Sequence, residues 1–275
     1  MFATLSPELY HLRFSLLEQA KKHVPAVGFT NDALLKALNE VEHKSTVTPS
    51  TLSVMFERGF PAALVEYVAK DTTTITQKYL DEVYSSENII NTIVRNEEDY
   101  INNRFFPPTS KDVAASAIIK KLEALMPYCE KWPSAVGVEY QTQNIPYTLI
   151  TLTEFVDSSS FYIERVENLN QLLLPAKQII QSKVMSSYIP IGNEESSSSK
   201  SPLSNTAKFL RTFIAGVPLS SGPHMSTSNF SMDWYMKRAQ LGFIYCTCVT
   251  SLLGDTSAGK AETKALAKKM THCLF

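Results

Sequence analysis

The sequence predicts an all-α fold, and three observations carry that expectation. Only nine glycines stand among 275 residues, and no run alternates as a half-buried strand would. Apolar residues recur three and four places apart along most of the chain, which is the spacing of one helical face. Prolines fall where apolar helical sequence should stop or restart, as at Pro127, Pro133 and Pro146. Proline fixes its own φ and carries no N–H, so it suits the first turn of a helix and disrupts the interior.

Each element has its own signals. Ser6-Pro7-Glu8 opens the first helix with a cap, a proline and an acid. Leu9, Leu12, Leu16 and Ala20 form its stripe, and Val24-Pro25 is expected to end it. Gly28-Phe29-Thr30 turns the chain, and Thr30 or Asn31 caps a second helix with Ala33, Leu34, Ala37, Leu38 and Val41 apolar. Thr48-Pro49 opens a short third helix through Phe56, which Arg58-Gly59-Phe60-Pro61 stops before a long fourth helix from Ala62. Glu87–Phe105 reads as another helix, broken by Pro107-Pro108. Thr109 or Ser110 caps the next one. Ala115, Ile118, Ile119, Leu122, Leu125 and Met126 share one face there, with Lys111, Asp112, Lys120, Lys121 and Glu123 on the other. Two proline corners follow and hold Trp132, expected as a core anchor, before a helix over Tyr147–Ile163.

From about Glu164 to Asn229 the texture is irregular and includes the run Glu194-Glu195-Ser196-Ser197-Ser198-Ser199-Lys200. Serine-rich polar sequence buries too little apolar surface to offset its ordering entropy. The segment is expected to be an insertion with a disordered centre, helix being open only at Pro175–Ser187 and Asn205–Ala215. Helix returns over Met232–Leu253 and again over Ala261–Leu274. Residues 1–60 are read as one subdomain and 61–275 as a larger helical domain.

Composition narrows the function. A formal net charge of −1 gives no whole-protein footprint for nucleic acid. The cysteines at 129, 246, 248 and 273 form no Cys-x-x-Cys pair. They are expected to be reduced and mostly buried, Cys246 and Cys248 facing different ways on one helix. The longest uncharged run, Ala239–Leu253, is shorter than the ~20 residues that span a bilayer. No signal or clear transit peptide is visible at the start. Gly-x-Gly, phosphate-loop, His-Glu-x-x-His and Gly-x-Ser-x-Gly signatures are absent, and the five histidines are scattered. No catalytic residue and no metal ligand is therefore proposed.

The order of the first four helices resembles the N-terminal helix-turn-helix of the TetR-like fold. Gly28-Phe29-Thr30 with Leu34 and Leu38, Val47-Thr48-Pro49 through Met55-Phe56, then Ala63-Leu64 and Tyr67 carry that likeness. Across it, Lys36, Lys44 and Arg58 are offset by Asp32, Glu40, Glu42 and Glu57, and Pro49–Glu57 holds no Lys or Arg. DNA readers need cations for phosphate and Arg, Lys, Asn or Gln for base edges. No nucleic-acid partner is expected. At the exposed start of the later core helix, Ser231-Met232-Asp233-Trp234-Tyr235-Met236-Lys237-Arg238 has the composition of a protein-binding hot spot. Half-buried packing and a partner surface both stay open for Trp234.

Met126-Pro127-Tyr128, Trp132-Pro133-Ser134-Ala135, Asn144-Ile145-Pro146, Leu152-Thr153 through Val156-Asp157, and Asp233-Trp234-Tyr235-x-Lys237-Arg238-Ala239 with Tyr245 belong together. As a set they resemble the TetR-fold lipid-binding accessory protein of mitochondrial coenzyme Q (ubiquinone) biosynthesis. The likeness covers about Leu12–Leu253 outside the inserted segment.

The resemblance implies an all-α, TetR-like helical bundle and no catalysis, and the long insertion departs from it. It also implies binding of isoprenoid quinone intermediates and support of the demethoxyubiquinone hydroxylase within the coenzyme Q biosynthetic complex. Leu122, Leu125, Met126, Leu149, Leu152, Phe155, Leu241, Ile244 and Tyr245 would supply an apolar pocket. A polyprenyl tail gains about 0.8 kcal/mol per buried CH₂ there. Asp157, Asp233, Trp234, Tyr235 and Arg238 would supply the partner-facing patch, although Ser158, Ser159 and Ser160 replace larger groups beside Asp157. No cofactor is implied beyond a bound isoprenoid or phospholipid. The location implied is the matrix face of the mitochondrial inner membrane, by peripheral contact. The family tends to continue into an amphipathic membrane-docking helix, a role that Ala261–Leu274 or Asn205–Ala215 would take here. A homodimer is one open assembly state. The alternatives are a ligand-responsive transcriptional regulator and an enzyme acting on a quinone precursor.

Overall fold

The computed structural model describes residues 6–41, 47–187, 210, 212 and 232–275. The expected all-α fold is what it shows: among the described residues every regular element is a helix. In chain order these are α1 (Pro7–Val27), α2 (Asn31–Glu40), α3 (Pro49–Met55), α4 (Phe60–Tyr84), α5 (Ser86–Arg95), α6 (Glu97–Ile101), α7 (Ser110–Leu125), α8 (Trp132–Glu139), α9 (Ile145–Ser187), α10 (Met232–Gly254) and α11 (Ala261–Leu274).

Caps explain most starts. The Ser6 side chain accepts the Leu9 N–H, Thr48 accepts that of Thr51, and Ser85 accepts that of Asn88. Thr109 and Asp112 bond reciprocally at the start of α7. The corners fall as the prolines require: a 3-10 turn over Met126–Tyr128, then α8 from Trp132 and α9 from Ile145. Asn144 is buried between the last two and donates from Nδ2 to the Val138 carbonyl at 2.9 Å.

Three expected boundaries are corrected. Pro25 does not end α1, which continues to Val27 before Gly28 at φ 76° stops it. Proline costs the helix one N–H donor there, at its last turn, while the Gly28 N–H still reaches the Val24 carbonyl. The helix expected over Glu87–Phe105 is broken at Asn96, whose φ of −112° and ψ of 35° are not helical. The segment expected to be irregular is helical over Glu164–Leu174, and the helix left open over Pro175–Ser187 is present, because α9 is 43 residues long. Val166, Leu169, Leu173, Ala176 and Ile180 are all buried, and their three- and four-residue spacing extends one apolar stripe across Pro175. The turn over 42–46, the serine run and most of Asn205–Ala215 lie outside the described residues.

The chain divides into two compact units. The first comprises residues 1–76, 118–156 and 242–267. Its core holds Leu16, Leu17, Ala20 and Val24 of α1, Ala33 and Ala37 of α2, Leu64 and Val68 of α4, and Ile118, Leu122 and Leu125 of α7. Trp132 is buried and meets Phe29 edge to face at 5.6 Å, so it anchors this core. At the start of α11, the Asp255 carboxylate accepts the Ser257 and Thr263 N–H groups and both hydroxyls.

The second unit comprises residues 77–117, 157–241 and 268–275. Leu80, Ile89, Ile90, Ile93, Val113 and Ala117 are buried there along with the α9 stripe. Polar bonds tie its elements: Tyr84 to Ser116 at 2.7 Å, the Tyr100 hydroxyl to the Leu173 carbonyl at 3.3 Å, and Asn170 Nδ2 to the Pro108 carbonyl at 2.8 Å.

Candidate functional site

The hot-spot segment at the start of α10 is built into an ordered patch of the second unit. Arg238 is its centre. The guanidinium carbon lies 3.5 Å from the Trp234 ring centroid. Nε donates to Asp157 Oδ1 and Nη1 to Glu164 Oε1, each at 2.9 Å. One turn of helix puts Trp234 and Arg238 on the same face, and the planar fork lets one side chain stack and pair at once. Beside it, Lys237 Nζ donates to Glu167 Oε2 at 2.9 Å. Trp234 is half-buried, whereas Tyr235 is 52% exposed and Met232 and Met236 are also exposed.

Four of the five expected patch residues therefore lie together: Asp157, Trp234, Tyr235 and Arg238. The side chain of Asp233 lies outside what the structure describes. Glu164 and Glu167 were not expected, and Lys237 was expected only as part of the hot-spot segment. Their signal was the spacing of Asp157, Glu164 and Glu167, which stacks three acids along one side of α9 opposite two adjacent bases. Ser159 and Ser160, beside Asp157, are buried.

The residues expected to face a lipid divide by exposure. Leu122, Leu125, Phe155, Leu241 and Ile244 are buried, Met126, Leu152 and Tyr245 are half-buried, and Leu149 is 56% exposed. The Phe155 and Tyr245 rings meet at a tilt of 48°, 4.8 Å between centroids.

Next to that pair lies a feature the sequence did not reveal. Lys121, expected on the polar face of α7, is only 3% exposed. Its Nζ donates to Thr73 Oγ1 at 2.5 Å and to the Ala69 carbonyl at 3.3 Å. The same nitrogen stands 4.6 Å from the Phe155 ring and 5.4 Å from the Tyr245 ring. Burial pulls its pKa down to about 7, against the weaker attraction of Glu139 and Glu154. Burial likewise pushes the Glu139 carboxyl up to about 7. The aromatic and hydroxyl cage replaces water for a cation that has no close carboxylate among the described residues.

Among the described residues, clefts open on the first unit, two of them beside α4. The smaller is lined by Arg58, Glu139, Asn144 and Tyr147 among others, with the Arg58 guanidinium 3.4 Å from the Tyr147 ring centroid. The larger, about 380 Å³, lies along α1 and α4. Neither is lined by the nine expected lipid residues.

Among the described residues no group of three or more His, Cys, Asp and Glu is placed to hold a metal ion. No described helix is long and apolar enough to cross a membrane. All four cysteines are free. The expectation that most are buried is corrected, since Cys246 and Cys273 are exposed, Cys129 is half-buried and Cys248 alone is buried. Cys246 and Cys248 do face different ways, as their spacing on α10 requires.

Residues 227–272 match the COQ9 family model. The chain is 23% identical over 151 residues to the Drosophila melanogaster "Ubiquinone biosynthesis protein COQ9, mitochondrial". That span is 55% of this chain and 40% of the fly protein. Identity to the Homo sapiens protein of the same name is 24% over 151 residues, again 55% of this chain, and 42% of the human protein. The alignments thus span about two fifths of the length of these relatives. The family match falls on the helix that carries Trp234 and Arg238, and both relatives bear one name: over these spans the chain is similar to COQ9 proteins.

Proposed function

We propose that this protein serves ubiquinone biosynthesis as a non-catalytic accessory factor. It binds an isoprenoid quinone intermediate and presents it to the demethoxyubiquinone hydroxylase at the matrix face of the mitochondrial inner membrane. The names of the two relatives support the pathway and the compartment.

The observation that carries the docking half is the Arg238 cluster. Its pairs with Asp157 and Glu164 fix the Trp234 ring from one side. Tyr235, Met232 and Met236 stand in solvent around it. A rigid aromatic anchor ringed by exposed apolar side chains is the arrangement from which interface hot spots are made. Arg238 has its acids within the chain, so the patch needs no acidic partner and offers mainly ring and thioether surface.

For the lipid half, the reading rests on the resemblance, with Phe155, Ile244 and Tyr245 of the first unit as the apolar surface a polyprenyl tail would cover. Peripheral membrane contact rests on α11, where Lys264, Lys268 and Lys269 flank Leu266, Met270 and Leu274.

The test is co-elution of the purified chain with the hydroxylase, joined to mass spectrometry of copurifying lipid. Trp234→Ala should abolish co-elution and leave the far-UV spectrum intact. Co-elution undiminished by that substitution would remove the docking reading, and preparations carrying no isoprenoid would remove the lipid one.

A further inference from the structure

The larger cleft of the first unit takes no part in the reading above. Its volume of about 380 Å³ lies within the ~300–1,000 Å³ range of small-molecule sites. Tyr10, Arg13 and Phe14 of α1 line it together with Glu66, Tyr67, Lys70 and Asp71 of α4. Phe14 and Tyr67 meet edge to face at 5.7 Å. Tyr10 is 57% and Phe14 49% exposed, so three rings border a cleft that leaves two of them largely in water.

The charges in this lining are not equivalent. Both carboxylates are already satisfied. Glu66 accepts from Arg58 and from Lys70, which lies at 3.1 Å. Asp71 accepts from Lys21 at 3.1 Å. Burial raises the Glu66 carboxyl, yet the bonds from Arg58 and Lys70 outweigh it and hold it below the usual range. Arg13 has no such match. Among the described residues no carboxylate pairs with its guanidinium, and its Nε is shielded from water without a hydrogen-bond partner. A guanidinium cannot shed its proton to relieve this, and the Phe56 ring centroid lies 5.8 Å from its carbon.

We infer that this cleft binds an aromatic carboxylate, whose anion pairs with Arg13 and whose ring packs among Tyr10, Phe14 and Tyr67. Carboxylate matches the planar fork of Arg in two parallel bonds. A flat apolar body matches rings that otherwise meet only water on one side. Bound this way, the ligand completes Arg13, which lacks an acid among the described residues, and leaves the Glu66 and Asp71 pairs undisturbed. The inference is independent of the quinone lipid and of the hydroxylase, neither of which enters its test.

Isothermal titration of the full chain with 2-naphthoate, 2-naphthamide and inorganic phosphate decides the matter. Saturable binding of naphthoate is expected, at least tenfold tighter than naphthamide and with no saturable signal from phosphate. Arg13→Gln should bring naphthoate down to the naphthamide level. Arg13→Lys, which keeps the charge and loses the fork, should fall between the two. Tyr10→Ala, at the open lip, should weaken both aromatic probes together. Equal affinity for naphthoate and naphthamide in the unaltered chain would overturn the proposal with no variant needed. So would naphthoate binding that survives Arg13→Gln, or tight phosphate binding, which would mark a plain anion site.

Discussion

Arg238 holds Trp234 by its face, 3.5 Å from guanidinium carbon to ring centroid, while its Nε and Nη1 reach Asp157 and Glu164 on α9. One side chain thus joins a ring to two acids. Partly exposed ion pairs contribute about 0.2–1 kcal/mol each, and a stacked cation on a ring adds about 0.5–1 kcal/mol. Arg238→Ala should therefore lower stability by about 1–2 kcal/mol in urea unfolding. Arg238→Lys should recover only part of that, because an ammonium cannot stack and fork together.

Tyr235 separates docking from folding. It is half out in solvent, and exposed substitutions away from special features usually stay within about 0.5 kcal/mol. Tyr235→Ala should leave the melting temperature nearly unchanged and weaken hydroxylase binding by roughly tenfold or more, the signature of a hot spot. Surface plasmon resonance against immobilised hydroxylase reads the second quantity directly.

Lys121 should reshape the pH profile of stability. Its folded pKa, about 7, is below its ordinary value of 10.5. Between those values the unfolded chain holds more protons, so stability rises with pH across that window. Glu139, raised from 4.5 to about 7, acts in the opposite sense, and stability falls as pH rises from 4.5 to 7. Lys121→Met should flatten the alkaline rise and stabilise the protein at pH 7 by about 1–3 kcal/mol, since apolar replacement of a buried charge is often favourable. By pH 10.5 the gain should be gone.

Phe155 and Leu149 distinguish filled core from open wall. Phe155 is fully enclosed and Leu149 is not. Phe155→Ala should cost about 3–5 kcal/mol, and Leu149→Ser should change stability little. Copurifying lipid that falls with Phe155→Leu, a milder change, would place the ring against the guest as well as the core.

Asp255 should govern part of the acid limb. Four donors from Ser257 and Thr263 hold its carboxyl well below the usual carboxylate range. A depressed folded pKa contributes stability above the unfolded pKa of 3.8, and that contribution is lost as pH falls toward the folded value. Asp255→Asn should lower the melting temperature at pH 7, and the gap from the unaltered chain should narrow steadily below pH 4.

What the sequence made legible was local chemistry. The corners at Pro127, Pro133 and Pro146 and the limits of Ala261–Leu274 follow from φ restrictions and caps that act within a few residues. Trp132 was readable as an anchor for the same reason. Lys121 was not, because periodicity along α7 gives its direction but not what waits there. Thr73 and Phe155, which make its burial possible, stand 48 and 34 residues away. The Arg13 cleft was hidden likewise, since Arg13 becomes conspicuous only once Glu66 and Asp71 are seen to be taken by Arg58, Lys70 and Lys21. The helix over 164–174 was missed because polar residues such as Glu164, Asn168, Asn170 and Gln171 dilute a stripe that is regular at its buried positions.

The Ala69 carbonyl has a consequence of its own. It receives the Thr72 hydroxyl at 2.8 Å, the Thr73 hydroxyl at 3.0 Å and Lys121 at 3.3 Å, besides the rung that α4 itself assigns to the Thr73 amide. An oxygen offers two lone pairs, so four claimants must take turns. That competition should weaken the rung from the Thr73 amide, and deuterium should enter at Thr73 sooner than at either neighbouring turn. Removing the ammonium with Lys121→Met would leave fewer rivals and slow that entry.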